Sequence, residues 1–437
     1  MMKLQRQNQN SQEPRFQGHT FLESLLFSTL FFLIITAYYQ VKPASRALFI
    51  TFVGSENLPY TWILSASVWI MLLPLFSWRA KRDAPHKIVI SSTLCIAGLI
   101  TLFWLLLQTP TPLRVISFYV LVDVYGVILV EQFWGFVGSR YHTSEGKRWY
   151  GVIGSGGLVG GICGSALASL LLKRKDVQTI DLLPVAIFFL LLLAVLTWIL
   201  TFKHKFTVVQ SGQDRTIPHL QQRLSRPGRR YVVLIALLLL MSQLVQPIIE
   251  FQLMSVLQQV RDDLKARTEY LSFLFLLTSL LALIVNLTIT PLFHRYLGTI
   301  ASLAVQPLLI ICGALTFIGT TTLTSGTILK VLDRGLSYSI TRASKELLYL
   351  PLVPAVIYRI KSWVDMFGYR LFEVFASVLI LGIKRWVPNQ AVPVELSWVV
   401  IALALLWLGV IALVRPRYDH LIQKSEALLV ENGTPAG

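Results

Sequence analysis

Ionisable side chains interrupt several of the long apolar segments of this 437-residue chain. A charged group at the centre of a membrane-spanning helix costs roughly 2.5–3.5 kcal/mol on insertion scales, so it is normally paired or functional. Cations in such places can neutralise an anionic ligand, and carboxylates can bind protons or exchange partners during a conformational change. The candidates for substrate binding or gating are Lys42, Arg46, Asp123, Glu131, Glu250, Arg334, Arg342, Lys345, Glu346, Asp365, Arg370 and Glu373.

Several of these candidates have two interpretations. Lys42 and Arg46 are four residues apart at the end of an apolar segment, so one helix face carries both. They either line a cavity or extend to the membrane interface as long side chains do near helix ends. Glu250 follows Pro247 by three residues, and a proline bend in a span favours a functional role. The charges of the tenth segment either pair between helices or contact a substrate.

The apolar segments that carry these charges predict an all-α polytopic membrane protein. The chain is 54% hydrophobic and only 14% charged, whereas soluble domains carry about 25% charged residues. Continuous apolar runs of about 20 residues favour spanning helices rather than strands. The twelve predicted spans are residues 20–41, 60–78, 88–107, 115–138, 151–172, 182–202, 231–258, 269–292, 299–319, 327–350, 364–383 and 396–414.

The longest segment between spans divides the chain into two sets of six helices, which is the plan of a major-facilitator-type fold. The predicted parts are a polar tail (1–19), a six-helix bundle (20–202), a basic linker (203–230), a second six-helix bundle (231–414) and a C-terminal tail (415–437). Lys and Arg are more frequent in the loops on the side of the two tails. By the positive-inside rule both termini are expected in the cytoplasm, with the bacterial inner membrane as the location.

Other classes of function have little support in the sequence. The net charge of +17 is spread over many loops rather than concentrated on one soluble module, so nucleic-acid binding is not expected. No enzyme motif or metal-ligand spacing is present, so no catalytic activity and no cofactor are expected. The glycine-rich fifth span, including Gly157 and Gly161, lacks the Lys-Ser/Thr of a phosphate loop and predicts close helix packing. Cys95, Cys163 and Cys312 lie in apolar runs and are expected to be buried.

Five short motifs resemble the ATP/ADP translocase family of plastids and intracellular bacteria. Residues 345–352 (KELLYLPL) resemble its KE-x-x-Y-x-PL signature, and residues 133–136 (FWGF) match the end of its fourth helix. Residues 144–150 (SEGKRWY) resemble a loop of the family, and Lys361, Asp365, Gly368 and Arg370 resemble the run that enters its eleventh helix. Glu250 stands where the family has an acidic residue in helix seven.

This resemblance implies a major-facilitator fold and a cavity of Lys, Arg and carboxylate residues that exchanges nucleotides such as ATP and ADP. Two positions depart from the family pattern. Residues 42–46 read KPASR instead of RDTKD, and Glu373 replaces a lysine, which argues against a triphosphate substrate. The sequence therefore leaves three functions open: a nucleotide or other anionic-metabolite transporter, a transporter of a different substrate, and a non-transporting assembly or sensor component.

Overall fold

In the computed structural model, the described residues are 17–140, 143–203, 226–349, 368–388 and 391–431, and they form twelve consecutive helices. Ten of the twelve helices are α1 (Gln17–Phe52), α2 (Leu58–Arg82), α3 (Pro85–Leu106), α4 (Pro112–Gly138), α5 (Thr143–Leu172), α6 (Leu182–Lys203), α7 (Arg226–Val260), α9 (Gly298–Thr320), α11 (Tyr369–Lys384) and α12 (Val392–Glu431). The other two contain a wide π-helical turn. Helix α8 comprises Leu264–Ile284, the turn Val285–Ile289 and Thr290–Tyr296, and helix α10 comprises Leu323–Leu336, the turn Ser337–Thr341 and Arg342–Leu348.

The helices confirm the all-α prediction, and they make the chain a multi-pass membrane protein. Ten helical segments in the described part of the chain are long and apolar enough to cross a bilayer. Helices α10 and α11 are not among these ten segments. The reason for α10 is its charge, because Lys330, Asp333, Arg334, Arg342 and Lys345 all lie on it.

The end of α1 differs from the sequence-based prediction. Apolarity alone ended the first span at residue 41, but the helix continues through Pro43 to Phe52. Lys42 and Arg46 are therefore inside the helix and not at its end, and Arg46 is only 7% exposed. The interpretation of these two residues as interfacial side chains was wrong. Hydropathy misplaced the boundary because the charge of Arg46 is neutralised by a carboxylate on another helix.

The helices pack in a pattern that repeats after six helices. Helix α1 contacts α4, α5 and α6, and α7 contacts α10, α11 and α12 in the same way. Helix α3 likewise packs on α6, as α9 does on α12. The two sets of six meet where α2 contacts α11 and where α5 contacts α8. The boundaries of the two bundles stay a prediction, and residues 204–225 of the proposed linker lie outside the described residues.

Glycines on α5 bring this helix very close to α1. A Cβ atom on Gly156 would lie 2.1 Å from the carbonyl oxygen of Ser28, and one on Gly160 would lie 2.6 Å from that of Phe32. Gln40 Nε2 donates a buried hydrogen bond of 2.8 Å to the backbone oxygen of Gly164. The close crossing predicted for this segment is therefore present, but Gly156, Gly160 and Gly164 form it. Gly157 and Gly161, named from the sequence, line a cavity, and they also have close neighbours, since a Cβ atom on Gly157 would lie 2.3 Å from the Phe31 ring and one on Gly161 3.0 Å from Ser279 Oγ.

The three cysteines correct another expectation. Cys95, Cys163 and Cys312 are exposed on the surfaces of α3, α5 and α9. An apolar run predicts burial in a soluble protein, but in a spanning helix the same residues can face lipid. The sequence does not separate these two kinds of apolar surroundings.

Candidate functional site

A cavity of about 610 Å³ lies between the two sets of helices. Eight helices line it, α1, α2, α4 and α5 from the first set and α7, α8, α10 and α11 from the second. On α1 the lining extends from Phe31 to Arg46, a length of about 22 Å at 1.5 Å per residue. Glu131 and Arg342, at the end of the bundle where α1 begins, are exposed. A volume of several hundred Å³ is typical of sites for small organic ligands.

Hydrogen bonds join the two sets of helices at the opposite end of the bundle. The Arg267 guanidinium donates from Nη1 to Thr51 Oγ1 at 2.8 Å, and the backbone nitrogen of Ser55 donates to Gln258 Oε1 at 2.6 Å. Arg267 is also fixed by the backbone oxygens of its own set of helices, including that of Gln258 at 2.8 Å. These bonds hold the two sets together beyond the deepest cations of the cavity.

Arg46 and Asp123 form a buried ion pair between α1 and α4. The Arg46 guanidinium donates to Asp123 Oδ1, and Ser65 donates to the other carboxylate oxygen at 3.3 Å. The guanidinium also lies 4.2 Å from the ring centroid of Tyr119, whose hydroxyl accepts a 2.8 Å bond from Trp62. Four side chains thus hold Arg46 in one orientation at the cavity wall.

Lys42 lies one turn before Arg46 and has different surroundings. Its Nζ atom is 4.7 Å from the ring centroid of Phe275, 5.3 Å from Tyr38 and 5.6 Å from Tyr39. Among the residues that the structure describes, no carboxylate lies within 4.0 Å of this ammonium group. Aromatic faces attract a cation without neutralising its charge, so the Lys42 ammonium group, when protonated, can contact an anion in the cavity.

Glu250 on α7 forms a second buried ion pair, with Lys330 on α10. Glu250 Oε2 and Lys330 Nζ are 2.5 Å apart, and the two side chains are 13% and 3% exposed. A narrow cleft joins this pair to Lys42 and Arg334, which also line the main cavity. The pair therefore lies beside the cleft, next to Lys42 and Arg334 on the floor of the main cavity, and does not line the main cavity.

The wide turn of α10 places its charged residues along the cavity. Lys330, Arg334, Tyr338 and Arg342 follow one another at intervals of four, which in a regular α-helix would drift by about 40° per step. The extra residue of the turn Ser337–Thr341 offsets part of this drift. Arg334, Tyr338 and Arg342 consequently all line the cavity.

Gln306 on α9 fixes this wide turn from behind. Its amide nitrogen donates to Ser337 Oγ at 2.8 Å and to the backbone oxygen of Asp333 at 3.1 Å, and its oxygen accepts from Thr341 Oγ1 at 2.6 Å. Gln246 of the cavity wall donates to Ser337 Oγ at 3.2 Å. A single buried glutamine thus binds the first and last residues of the turn and Asp333 before it, and holds this part of the α10 backbone in place.

Helix α11 adds a third ion pair to the cavity wall. Arg370 Nη1 donates to Glu373 Oε2 at 2.7 Å, and both residues line the cavity. Lys345 of α10 donates to the hydroxyl of Tyr369 at 2.8 Å. Lys345 itself is not among the lining residues, although its partner Tyr369 is.

The structure brings most of the sequence-predicted candidates together. Eight of the twelve candidates line the cavity, namely Lys42, Arg46, Asp123, Glu131, Arg334, Arg342, Arg370 and Glu373. Glu250 lies in the adjoining cleft. Lys345 and Glu346 do not line either space, because they are near the end of α10, and Asp365 lies outside the described residues. The role of each residue in binding or gating stays a prediction.

The neutral side chains of the site carry no signal in the sequence. Tyr38, Tyr39, Gln243, Gln246 and Ser279 line the cavity without carrying a charge. Nothing in their spacing separates them from polar residues that satisfy one another inside a bundle. Among the tyrosines of the charged segments, Tyr338 lines the cavity, whereas Tyr125 and Tyr349 are buried.

Comparison with known proteins identifies the fold. No protein-family model and no curated protein matches the sequence. Among solved structures, the nucleoside transporter NupG is similar with a TM-score of 0.61 and 13% identity over 89% of this chain and 98% of that chain. A bacterial homologue of the iron transporter ferroportin in an inward-facing state gives 0.60 and 14% over 90% and 98%, and the POT family transporter PepTSo gives 0.63 and 13% over 91% and 98%. The chain therefore has the major-facilitator-like fold that its apolar segments predict.

Proposed function

We propose that this protein is a secondary transporter that moves an anionic organic metabolite across a membrane by alternating access. The observation that carries the proposal is the 610 Å³ cavity with Lys42, Arg334 and Arg342 on its wall. In the described part of the chain, none of these three cations has a carboxylate within hydrogen-bond distance. A cavity with such cations and a low-dielectric wall attracts anions.

The charge of the cavity wall supports an anion over a neutral or cationic ligand. Five cations and three carboxylates line the described part of the wall. Arg46 is neutralised by Asp123, and Arg370 by Glu373, so neither pair favours a ligand of either sign strongly. The remaining cations lie on α1 and α10, and these helices belong to different sets. A bound anion would therefore contact both moving parts, as alternating access requires.

A nucleotide is the first candidate for the anion. The resemblance to the ATP/ADP translocase family supports it, and Tyr38, Tyr39, Tyr338 and Trp69 offer aromatic faces on which a base can stack. A smaller or less charged metabolite is the second candidate, because Glu373 neutralises Arg370 where the family has a lysine. Exchange and ion-coupled uptake are both compatible with these residues.

Two structural features support alternating access. Hydrogen bonds such as that of Arg267 with Thr51 hold one end of the cavity together, and exposed Glu131 and Arg342 lie towards the other end. The packing pattern that repeats after six helices provides two units that can rock against each other. With both termini in the cytoplasm of a bacterial cell, as the positive-inside rule predicts, this conformation would be the inward-facing one. A non-transporting assembly or sensor component remains the rival function.

The test is uptake by purified protein in liposomes. Radiolabelled ATP, ADP and AMP, a phosphorylated sugar, a dicarboxylate and uncharged adenosine would be offered to liposomes that are empty or preloaded with the same compound. We expect accumulation of at least one anion, faster in preloaded liposomes if the protein exchanges, and no accumulation of adenosine. Arg342→Gln should slow uptake at least about tenfold, because the cation loses its contact with the anion.

Arg385→Gln is the matched control, since Arg385 is an exposed arginine at the end of α11 that does not line the cavity. Equal slowing by both variants would indicate a general effect of removing charge. No accumulation of any anion, with correctly oriented and folded protein, would reject transport and favour the assembly or sensor function.

A further inference from the structure

Asp333 is a fully buried carboxyl group that the proposed transport cycle does not yet use. Its exposure is 0%. One carboxylate oxygen accepts a 3.2 Å hydrogen bond from Gln306 Nε2, and the other has no hydrogen-bond partner among the described residues. The Nε atom of Arg334 is 4.0 Å from this second oxygen, beyond hydrogen-bond distance. An ionised carboxylate in such surroundings is costly unless a cation compensates it.

The other buried acids of the region differ from Asp333 in this respect. Asp123 binds Arg46, Glu250 binds Lys330, and Glu373 binds Arg370, each through a direct ion pair. The sequence favoured Glu250 and Asp123 as proton carriers, but each of them has a cation in direct contact. Asp333 has only a neutral amide in direct contact, so its charge depends on where the Arg334 guanidinium lies.

The groups that face Asp333 come from three helices packed around it. Lys330 and Arg334 are on its own helix, Glu250 is on α7, and uncharged Gln306 is on α9. Helix α8 also packs on α10, and it carries charged or titratable side chains only near its two ends, at Lys265, Arg267, Glu269, Tyr270, His294, Arg295 and Tyr296. In this conformation Lys330 is bound by Glu250, whereas Arg334 has no hydrogen-bonded carboxylate among the described residues and can change its distance from Asp333.

Arg334 connects Asp333 to the ligand space. Its side chain is 30% exposed, while that of Asp333 is 0% exposed. Arg334 lines both the main cavity and the narrow cleft. A bound anion that draws the guanidinium into the cavity removes the nearest countercharge of the Asp333 carboxylate.

We infer that Asp333 is a proton-binding site that couples anion transport to proton movement. When the anion binds Arg334, the Asp333 carboxylate takes up one proton from the cavity and becomes a neutral acid. When the anion leaves, Arg334 returns towards Asp333, and the proton is released on the side to which the cavity is then open. One anion and one proton cross together, so a monovalent anion crosses without net charge.

This inference rests on the proposed function and deepens it, because it chooses proton-coupled uptake over exchange. Linkage requires that the effect be reciprocal, so a lower pH must tighten anion binding by the same factor by which the anion favours proton binding. The buried position of Asp333 makes the factor large, since without Arg334 its charged form is compensated only by the Gln306 hydrogen bond and by Lys330, which is paired with Glu250. Gln306 contributes by holding the wide turn that fixes Asp333 and Arg334 relative to each other.

Infrared difference spectroscopy of the ligand-free protein tests the site without a known substrate. We expect a carbonyl band of a protonated carboxylic acid that grows as pH falls from about 8 to about 4 and is missing in Asp333→Asn. Arg334→Gln removes the countercharge, so the same band should appear at higher pH. Asp176→Asn, which alters an exposed carboxylate, should leave it unchanged. A band that is identical in the protein and in Asp333→Asn throughout this range would overturn the inference.

The second test measures the movement of protons into liposomes. A pH-sensitive dye trapped inside would report acidification during uptake of the anions used above, with ADP and AMP tested first. We expect one proton per anion in the protein, and anion-driven acidification lost in Asp333→Asn while anion exchange continues. Anion uptake without acidification would refute proton coupling yet leave transport intact. Absence of uptake together with an Asp333 band would instead reject the proposed substrates and keep the proton site.

Discussion

Two buried ion pairs join equivalent helices in the two sets of six, with their charges reversed. In the first set the cation Arg46 is on α1 and the acid Asp123 is on α4. Six helices later, the acid Glu250 is on α7 and the cation Lys330 is on α10. The repeat of the packing pattern makes α7 the counterpart of α1 and α10 the counterpart of α4. The same pair of helices in each set therefore carries a buried ion pair, but of opposite polarity.

The surroundings of the two pairs differ more than the pairs themselves. Ser65 donates to Asp123, and Tyr119 stacks on the Arg46 guanidinium, so the first pair has support from α2 and α4. The second pair borders the cleft that also contains Lys42. The comparison indicates that the first pair holds helices together, whereas the second can exchange partners at the floor of the cavity.

The type of cation adds to this difference. An arginine keeps its proton under all conditions in a protein, but a buried lysine can release its proton when its partner is lost. Removal of Asp123 should therefore leave Arg46 buried and charged. Removal of Glu250 should leave Lys330 buried, but this lysine can lose its proton and become neutral. Variants of the two acids and of Lys42 make this contrast measurable.

Asp123→Asn should lower the free energy of unfolding by about 3–5 kcal/mol, because the Arg46 guanidinium is left charged and buried. Thermal unfolding of the purified protein in detergent measures the loss, together with the yield of folded protein. The double variant Arg46→Met with Asp123→Leu should recover most of the stability, since it removes both charges. Unchanged unfolding of Asp123→Asn would show that Arg46 finds another partner or water, and would break the comparison.

Glu250→Gln should cost less, about 1–3 kcal/mol, because Lys330 can become neutral in the folded state. The unfolded state then binds one proton more than the folded state, so stability of this variant should rise with pH. Asp123→Asn should show no such rise, since arginine does not titrate in this range. Unfolding curves at about pH 6 and about pH 9 compare the two variants. The same dependence of stability on pH in both variants would contradict the proposed difference between Lys330 and Arg46.

Lys42→Gln should have the smallest effect on stability, about 0.5–1 kcal/mol from the lost contacts with three aromatic rings. Its effect on affinity should be larger, about a tenfold weaker binding of the transported anion, because no carboxylate competes for this ammonium group. Equilibrium binding with a labelled anion measures this, with Lys87→Gln of the exposed start of α3 as control. A Lys42 variant that binds the anion normally would remove it from the site.

The sequence predicts the class of fold well, because a spanning helix has a clear signature in its apolar length. It also predicts many site residues, since charges such as Arg334 and Arg370 are costly in a membrane and stand out. The prediction from sequence was wrong where a residue on another helix neutralises a charge that looks unfavourable in its local segment. The apolar run ended before Lys42, yet the helix continues to Phe52 because Asp123 neutralises Arg46.

Other parts of the site had no signal in the sequence. In the sequence, Gln306 looks like any polar residue within an apolar segment. In the structure, its hydrogen bonds with Asp333, Ser337 and Thr341 fix it against α10. The cavity position of Gly161 and the packing position of Gly160 are one residue apart, and only the structure separates them. Lys345 was favoured by its charge and its motif, but it lies outside the cavity and donates to Tyr369.

Uptake by Glu250→Gln in liposomes tests the central claim most directly. The claim is that the pair of Glu250 and Lys330 works during transport, whereas the pair of Arg46 and Asp123 holds the scaffold. With equal amounts of folded, inserted protein, Glu250→Gln should bind the transported anion with an affinity near that of the unaltered protein and yet lose at least about 90% of its uptake, because the exchange of partners is blocked. Uptake by this variant at the rate of the unaltered protein would contradict the account and would make both pairs structural.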